Sequence, residues 1–123
     1  MAQPFQDLLV WQRAIEMNVA VYKLTATFPK QEMYGLSSQM QRASVSVASN
    51  IAEGRGRLTP GEFKNFLGMA QGSNYEVQTQ MAIVRKLAMG DASLLENANN
   101  LSVEVGRMLS SFISKMNTSK ARS

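Results

Sequence analysis

Apolar residues recur along most of this chain at alternating steps of four and three, the spacing that places side chains along one side of an α-helix. The first stripe predicts a helix over about residues 8–27. The helix should end at Phe28-Pro29, because the residue before a proline is pushed out of the α region. The stripe consists of Val10, Ala14, Met17, Val21, Leu24 and Phe28.

A second helix is predicted over about residues 35–53, with Met40, Ala43, Val47 and Ile51 on its apolar side. Nothing bulkier than Ile51 occurs in its second half, so other helices can approach its backbone closely. We therefore expect this helix to lie at the centre of the fold.

The turn from Gly54 to Leu58 follows, and its two glycines permit backbone of positive φ there. The start of the third helix is well marked, with Thr59 as N-cap, Pro60 at the first helical position and Glu62 three residues after the cap. This arrangement is a capping box. The apolar stripe then runs to about residue 88.

Gly68 and Gly72 lie inside the third helix, where each costs about 1 kcal/mol relative to alanine. We expect close packing of another helix to explain them. A break at Met89-Gly90-Asp91 precedes a fourth helix, predicted to end near Asn117.

Four long helices with short links predict an all-α fold, an antiparallel up-down-up-down four-helix bundle. We expect one domain over residues 1–123, with residues 1–7 as a docking arm and residues 118–123 as a frayed basic tail. No alternating pattern predicts a strand.

Composition removes several functional classes. The chain of 123 residues contains no Cys and no His, so disulfides, thiolate metal sites and the commonest acid-base group are excluded. We expect no metal, no cofactor and no enzymatic activity, since no nucleophile is placed beside a base. No targeting or membrane-spanning segment is apparent, which predicts a soluble cytoplasmic protein without a membrane partner.

The formal net charge of +4 comes largely from the C-terminal residues Lys115, Lys120 and Arg122, leaving ten basic and nine acidic residues elsewhere. Arg55 and Arg57 precede a helix N-terminus, whose free N–H groups favour anions. They could equally belong to a solvated turn. The candidate anion- or nucleic-acid-binding residues are Arg55, Arg57, Lys64, Arg85, Lys86, Lys120 and Arg122.

Several polar residues are predicted to pair across the helices, because an unpaired buried charge is costly. We expect Arg42 to pair with Glu76. Glu53 should lie near Arg13 or Trp11, and Asn50 should lie near Arg13. Fixing helix register is favoured over an acid-base or ligand site as the role of this group. Its members are Arg13, Gln39, Arg42, Asn50, Glu53, Ser73 and Glu76.

The first helix carries a second apolar stripe that the bundle core cannot also cover. In a single subunit it would form an exposed patch of the kind that marks interfaces. We expect it to contact another copy of the chain through Leu8, Trp11, Ile15 and Tyr22.

The chain resembles the four-helix-bundle proteins encoded in bacterial intervening sequences of 23S ribosomal RNA. The residues that carry the resemblance include Phe5-x-Asp7-Leu8, Trp11-Gln12-x-Ala14, Gln39-x-x-Arg42-Ala43, Asn50-Ile51-Ala52-Glu53-Gly54 and Ala70-x-Gly72-Ser73-x-x-Glu76. The resemblance implies a homopentamer. It also implies kinship to the accessory variability protein of diversity-generating retroelements, a basic pentamer that binds nucleic acid and a reverse transcriptase. Gln41 replaces one of two basic residues that often precede Ala43 in the family.

Two functions remain open. The first is a non-enzymatic, homo-oligomeric module that binds RNA or DNA, in which the ring multiplies modest basic sites. The alternative is a scaffold or adaptor that docks another protein and binds no nucleic acid.

Overall fold

The computed structural model contains the four predicted helices in the predicted order. It describes the backbone of residues 3–122 and the side chains of residues 3–117. No described residue lies in a β-strand, so the all-α fold class is confirmed. The elements are a short 3-10 turn Phe5–Asp7, α1 Leu9–Thr25, a 3-10 turn Lys30–Glu32, α2 Leu36–Arg55, α3 Pro60–Lys86 and α4 Ala92–Arg122.

The helices form a four-cornered bundle in which α1 and α3 each pack against both α2 and α4. Since consecutive helices run in opposite directions, the start of α1, the turn between α2 and α3 and the C-terminal part of α4 share one end. We call this the α2–α3 end, and the opposite one the α3–α4 end. Across the described residues, no helix is long and apolar enough to cross a membrane.

The four apolar stripes meet in one core, as their spacing predicts. Three methionines, Met17, Met40 and Met81, are fully buried and pack among leucine, isoleucine and valine side chains. An unbranched thioether side chain adapts to irregular gaps between helices. Methionine therefore serves here as ordinary core packing.

The turn between α2 and α3 begins later than predicted, because α2 continues to Arg55. Gly54 lies within α2, and Gly56, which follows the helix, has φ of −82°. Neither glycine has positive φ. What Gly54 provides is close approach, because a Cβ on it would lie 2.5 Å from Phe66 Cβ and 3.0 Å from Phe63 Cδ1. The two helices touch here at a distance that only glycine permits.

Left-handed backbone occurs instead where α3 ends, at Ala88 with φ of 52° and at Gly90 with φ of 73°. The Met89 N–H donates to the Val84 carbonyl at 3.1 Å, as in a Schellman helix end. Ala88 thus leaves the helix and does not extend its apolar stripe.

Close helix packing does not explain Gly68 and Gly72 within one subunit. A Cβ on either residue would meet none of the described neighbouring atoms within 4 Å, because both positions face away from the bundle. The prediction that close helix packing explains these glycines therefore fails within one subunit.

The fourth helix continues to Arg122, past its predicted end near Asn117. No glycine or proline follows Asn117, so nothing in the sequence forces the helix to stop there. The side chains of the predicted tail, residues 118–123, lie outside the described residues.

Asn74, a buried polar residue of α3, bonds to α4. The Asn74 side-chain amide donates to the Ser102 carbonyl at 2.9 Å, and the Ser102 hydroxyl donates back to Asn74 Oδ1 at 2.8 Å. Both residues are fully buried. A reciprocal pair of this kind satisfies a polar group in the core and fixes helix register.

Candidate nucleic-acid interface

The α2–α3 end is built around the short turn between the two helices. The Thr59 hydroxyl accepts a hydrogen bond from the Glu62 backbone N–H at 3.2 Å, which confirms the predicted N-cap of α3. Pro60 occupies the first turn, where its missing N–H costs nothing. This cap and the close contact at Gly54 hold the turn against the first residues of α3.

Two arginines of this turn rest on aromatic rings of α3. The Arg57 guanidinium lies over Phe66, 4.5 Å from the ring centroid, and that of Arg55 lies 5.5 Å from the centroid of Phe63. Arg55 Nε also donates to the Gln3 carbonyl at 2.8 Å. Cation–π contacts at such sites contribute about 0.5–1 kcal/mol each, which favours these positions for the two guanidinium groups.

A groove of about 450 Å³ opens between this turn and α4; we call it the turn groove. Leu58 stands at its edge with 96% of its surface exposed. The residues that line this groove include Arg55, Arg57, Leu58, Phe63, Phe112 and Met116.

A second groove, of about 480 Å³, runs between α1 and α4; we call it the α1–α4 groove. Phe112 lines both grooves, so they adjoin at the same end of the bundle. No Asp or Glu is among the described residues that line them. The second groove is formed by Leu9, Val10, Arg107, Met108, Ser111, Phe112 and Lys115.

Reasoning from the sequence did not select Arg107 or Lys115 as binding candidates. The sequence does contain a signal for them: four basic residues follow Glu104 and no acidic residue does. Arg107, Ser111 and Lys115 are spaced by four, which places them on one side of α4. Without the position of α1, this spacing could not be distinguished from a solvated helix face.

The predicted basic residues divide between the two ends. Lys64 is half-buried in the second turn of α3, near Arg55 and Arg57. Arg85 and Lys86 lie at the α3–α4 end. Arg85 forms an ion pair with Glu96, so it does not join the first group.

Lys120 and Arg122 belong to the last turns of α4, which reach the α2–α3 end. Their side chains lie outside the described residues.

The predicted ion pair between Arg42 and Glu76 does not form. Both residues are exposed, and Arg42 Nη2 donates to Ser38 Oγ, one turn earlier in α2, at 2.8 Å. Glu76 accepts a long hydrogen bond from Gln80 in its own helix, at 3.4 Å. The prediction assumed that small neighbours would leave these charges buried, whereas they point out of the bundle.

Arg13 pairs with α4 and not with Glu53 or Asn50. Its Nε and Nη2 donate to the Glu104 carboxylate at 2.6 and 2.8 Å, and Nη1 contacts Glu16. The hydrogen bonds to Arg13 hold the pKa of Glu104 below its usual range, against the opposing effect of partial burial. Glu53 is exposed.

The remaining members of the predicted cluster make smaller contacts. The hydroxyls of Ser46 and Ser73 lie 2.9 Å apart and join α2 to α3. Asn50 donates to the Ser46 carbonyl and hydroxyl within α2, at 2.9 and 3.0 Å. Gln39 is exposed. The register contacts of this bundle therefore come from uncharged side chains and from Arg13.

The predicted interface stripe is smaller than expected. Leu8 belongs to the core, with 7% of its surface exposed, and so offers little surface to another subunit. Trp11 is half-buried and meets Phe5 edge-to-face, with ring centroids 5.2 Å apart. Ile15 and Tyr22 are exposed on α1, and Ile15 lies beside α2 residues in a shallow depression.

Val19 of α1 and Val45 of α2 are also exposed; Val19 adjoins Tyr22, and Val45 adjoins Trp11 and Ile15. Shallow depressions between these side chains continue the surface. We call the surface formed by Trp11, Ile15, Val19, Tyr22 and Val45 the α1–α2 apolar face.

The fold and this end define an all-α four-helix-bundle protein with two adjoining, cation-lined grooves. Residues 6–111 match the family of 23S rRNA-intervening sequence proteins, and the chain belongs to that family.

A crystal structure of a protein of unknown function from the S23 ribosomal protein family of Bacteroides thetaiotaomicron is similar in fold. Its TM-score is 0.78 at 22% sequence identity, over 86% of this chain and 96% of that chain. No curated protein matches the sequence.

Proposed function

We propose that this chain is a non-enzymatic nucleic-acid-binding module that contacts the phosphate backbone through its α2–α3 end. The observation that carries the proposal is the placement of Arg55 and Arg57 on aromatic rings beside two grooves without acidic lining. Arginine is well suited to phosphate, because its planar guanidinium donates two parallel hydrogen bonds.

The charges at this end are available for a ligand. Within the described part of the chain, neither Arg55 nor Arg57 forms an ion pair, and the same holds for Arg107 and Lys115. Arg85 and Arg13, by contrast, are paired with carboxylates. Four unpaired cations near one end of a small bundle are the electrostatic footprint of a backbone-binding protein.

Self-association would multiply this modest charge. The α1–α2 apolar face exposes four large apolar side chains that no described element of the chain covers, besides the half-buried Trp11. We propose that a second copy covers it, and we take the number five from the resemblance to pentameric relatives. A ring would gather five α2–α3 ends and raise affinity without any new contact.

The test compares matched double variants by fluorescence anisotropy with labelled oligonucleotides at fixed salt. R55A/R57A removes two cations from the α2–α3 end, and R85A/K86A removes two from the α3–α4 end. We expect at least a tenfold loss of affinity in the first variant, about 1.4 kcal/mol, and little change in the second. Equal affinities for the two variants would reject the turn as the site.

The α1–α2 apolar face also favours a second function, a scaffold that binds another protein. The oligonucleotide assay separates the two functions, because a scaffold would bind no oligonucleotide as wild type or as either double variant. Replacing Ile15 and Tyr22 by aspartate would then abolish capture of the partner after nuclease treatment. In our preferred account the same change lowers the mass measured by light scattering.

A further inference from the structure

We infer that the nucleic acid bound at the α2–α3 end is single-stranded and that an unpaired base enters the α1–α4 groove. This inference rests on the proposed function and names its substrate class. It comes from the composition of the groove, in which Arg107 and Lys115 flank an apolar lining.

Arg107 and Lys115 place positive charge along one side of this groove. They are eight residues apart in α4, which is about 12 Å along the helix axis. Ser111 lies between them on the same side. Two cations at this spacing follow a strand of phosphates better than they surround one isolated anion.

The lining of the groove is apolar and partly exposed. Leu9 has 62% of its surface exposed, although it occupies the first turn of α1. Val10, Met108 and Phe112 complete the apolar side of the groove. At about 480 Å³, the groove is within the size range of small-molecule sites.

A duplex would leave this lining unused. The outside of a duplex offers phosphates and sugars, and its bases are stacked away from a groove between two helices. A single strand offers the flat faces of unpaired bases, which stack on aromatic and apolar side chains. Two spaced cations beside an apolar groove therefore fit a single strand.

The two adjoining grooves also give the strand a path. Phe112 lines both grooves, and Arg57, whose guanidinium lies over Phe66, lines the turn groove. A backbone that follows Arg107 and Lys115 can continue toward Arg57. Base stacking on a guanidinium is an established mode of single-strand recognition.

The experiment measures binding of three labelled DNA probes of about 12 nucleotides, a length typical of single-strand sites. The probes are a thymidine strand, an abasic strand with the same backbone, and a duplex. We expect the thymidine strand to bind the wild-type protein about tenfold more tightly than the abasic strand, in the range of one stacked base.

Leu9 provides the sharpest variant, because it is exposed and its replacement should not disturb the core. L9S should lower affinity for the thymidine strand about fivefold, the effect of partly burying one leucine. Affinity for the abasic strand and the duplex should stay within about twofold. The matched control is L87S, since Leu87 is equally exposed, at 60%, but lies at the α3–α4 end.

The outcomes separate this inference from the proposed function. If the thymidine and abasic strands bind equally, or if L9S and L87S behave alike, no base enters the groove and the inference fails. The proposed function would still stand if R55A/R57A weakened binding of every probe. If no probe binds any more tightly to wild type than to R55A/R57A, both fail.

Discussion

Gly54 is the position where the structure makes its sharpest energetic prediction. A Cβ there would lie 2.5 Å from Phe66 Cβ, 3.0 Å from Phe63 Cδ1 and 3.3 Å from the Phe63 carbonyl oxygen. Two of these atoms are part of the α3 backbone or attached to it, so a side-chain rotation cannot relieve the contact. Gly54→Ala therefore forces α2 and α3 apart.

The magnitude follows from two opposing effects. Overpacking a core costs about 1–3 kcal/mol, and contact with backbone places this site near the upper value. Replacing glycine by alanine within a helix returns about 1 kcal/mol. We expect Gly54→Ala to lower the free energy of unfolding by about 2 kcal/mol.

Gly68→Ala is the matched control, since its Cβ meets no described neighbour. It should raise the free energy of unfolding by about 1 kcal/mol through helix propensity alone. Urea denaturation followed by circular dichroism, at one protein concentration, measures both. If Gly54→Ala were as stable as wild type, the close contact between α2 and α3 would be wrong.

Three further predictions concern the helix ends and the polar contacts. Ala88→Gly should raise the free energy of unfolding by about 0.5–1 kcal/mol, because φ of 52° strains alanine; an unchanged urea midpoint would contradict it. Ser102→Ala should lower it by about 1–3 kcal/mol, because buried Asn74 Oδ1 loses its donor; a loss below about 0.5 kcal/mol would contradict it. Arg13 lowers the folded-state pKa of Glu104, so their ion pair stabilises the fold above the ordinary carboxyl pKa of about 4.5. This stabilisation is lost as the pH falls through the lowered pKa. The stability difference between wild type and Glu104→Gln should therefore narrow on acidification in urea titrations, and a constant difference from pH 7 to pH 3 would show that the pair has no effect.

The helices could be predicted from the sequence because their information is local. Steps of four and three located all four stripes, and Thr59 with Pro60 fixed the start of α3. The end of α4 was misplaced because no helix-breaking residue follows Asn117. Boundaries that depend on the absence of a breaker carry little local information.

The partners of charged side chains could not be predicted in the same way. Counting residues across a turn gives the level of a side chain along the bundle, but not the direction in which it points. Arg42 and Glu76 were assigned to each other on level alone and are both exposed. Arg13 finds Glu104 in α4, a helix far away in sequence, which no turn relates to α1 by simple counting.

The proposed binding end was predicted only in part for the same reason. Arg55 and Arg57 are close together in sequence and were selected for that reason. The α1–α4 groove could not be found in this way, because its residues come from the first and last helices. Arg107 gains its significance from Leu9, almost a hundred residues earlier. Only the assembled bundle places these two residues beside one groove.

The most direct test of the central claim is the salt dependence of oligonucleotide binding, measured for wild type, R55A/R57A and R85A/K86A. Each phosphate contact contributes about 0.7–0.9 to the slope of log affinity against log salt. We predict that R55A/R57A flattens the slope by about 1.4–1.8 per bound chain and that R85A/K86A leaves it unchanged. A slope that is the same for all three proteins would contradict phosphate binding at the α2–α3 end.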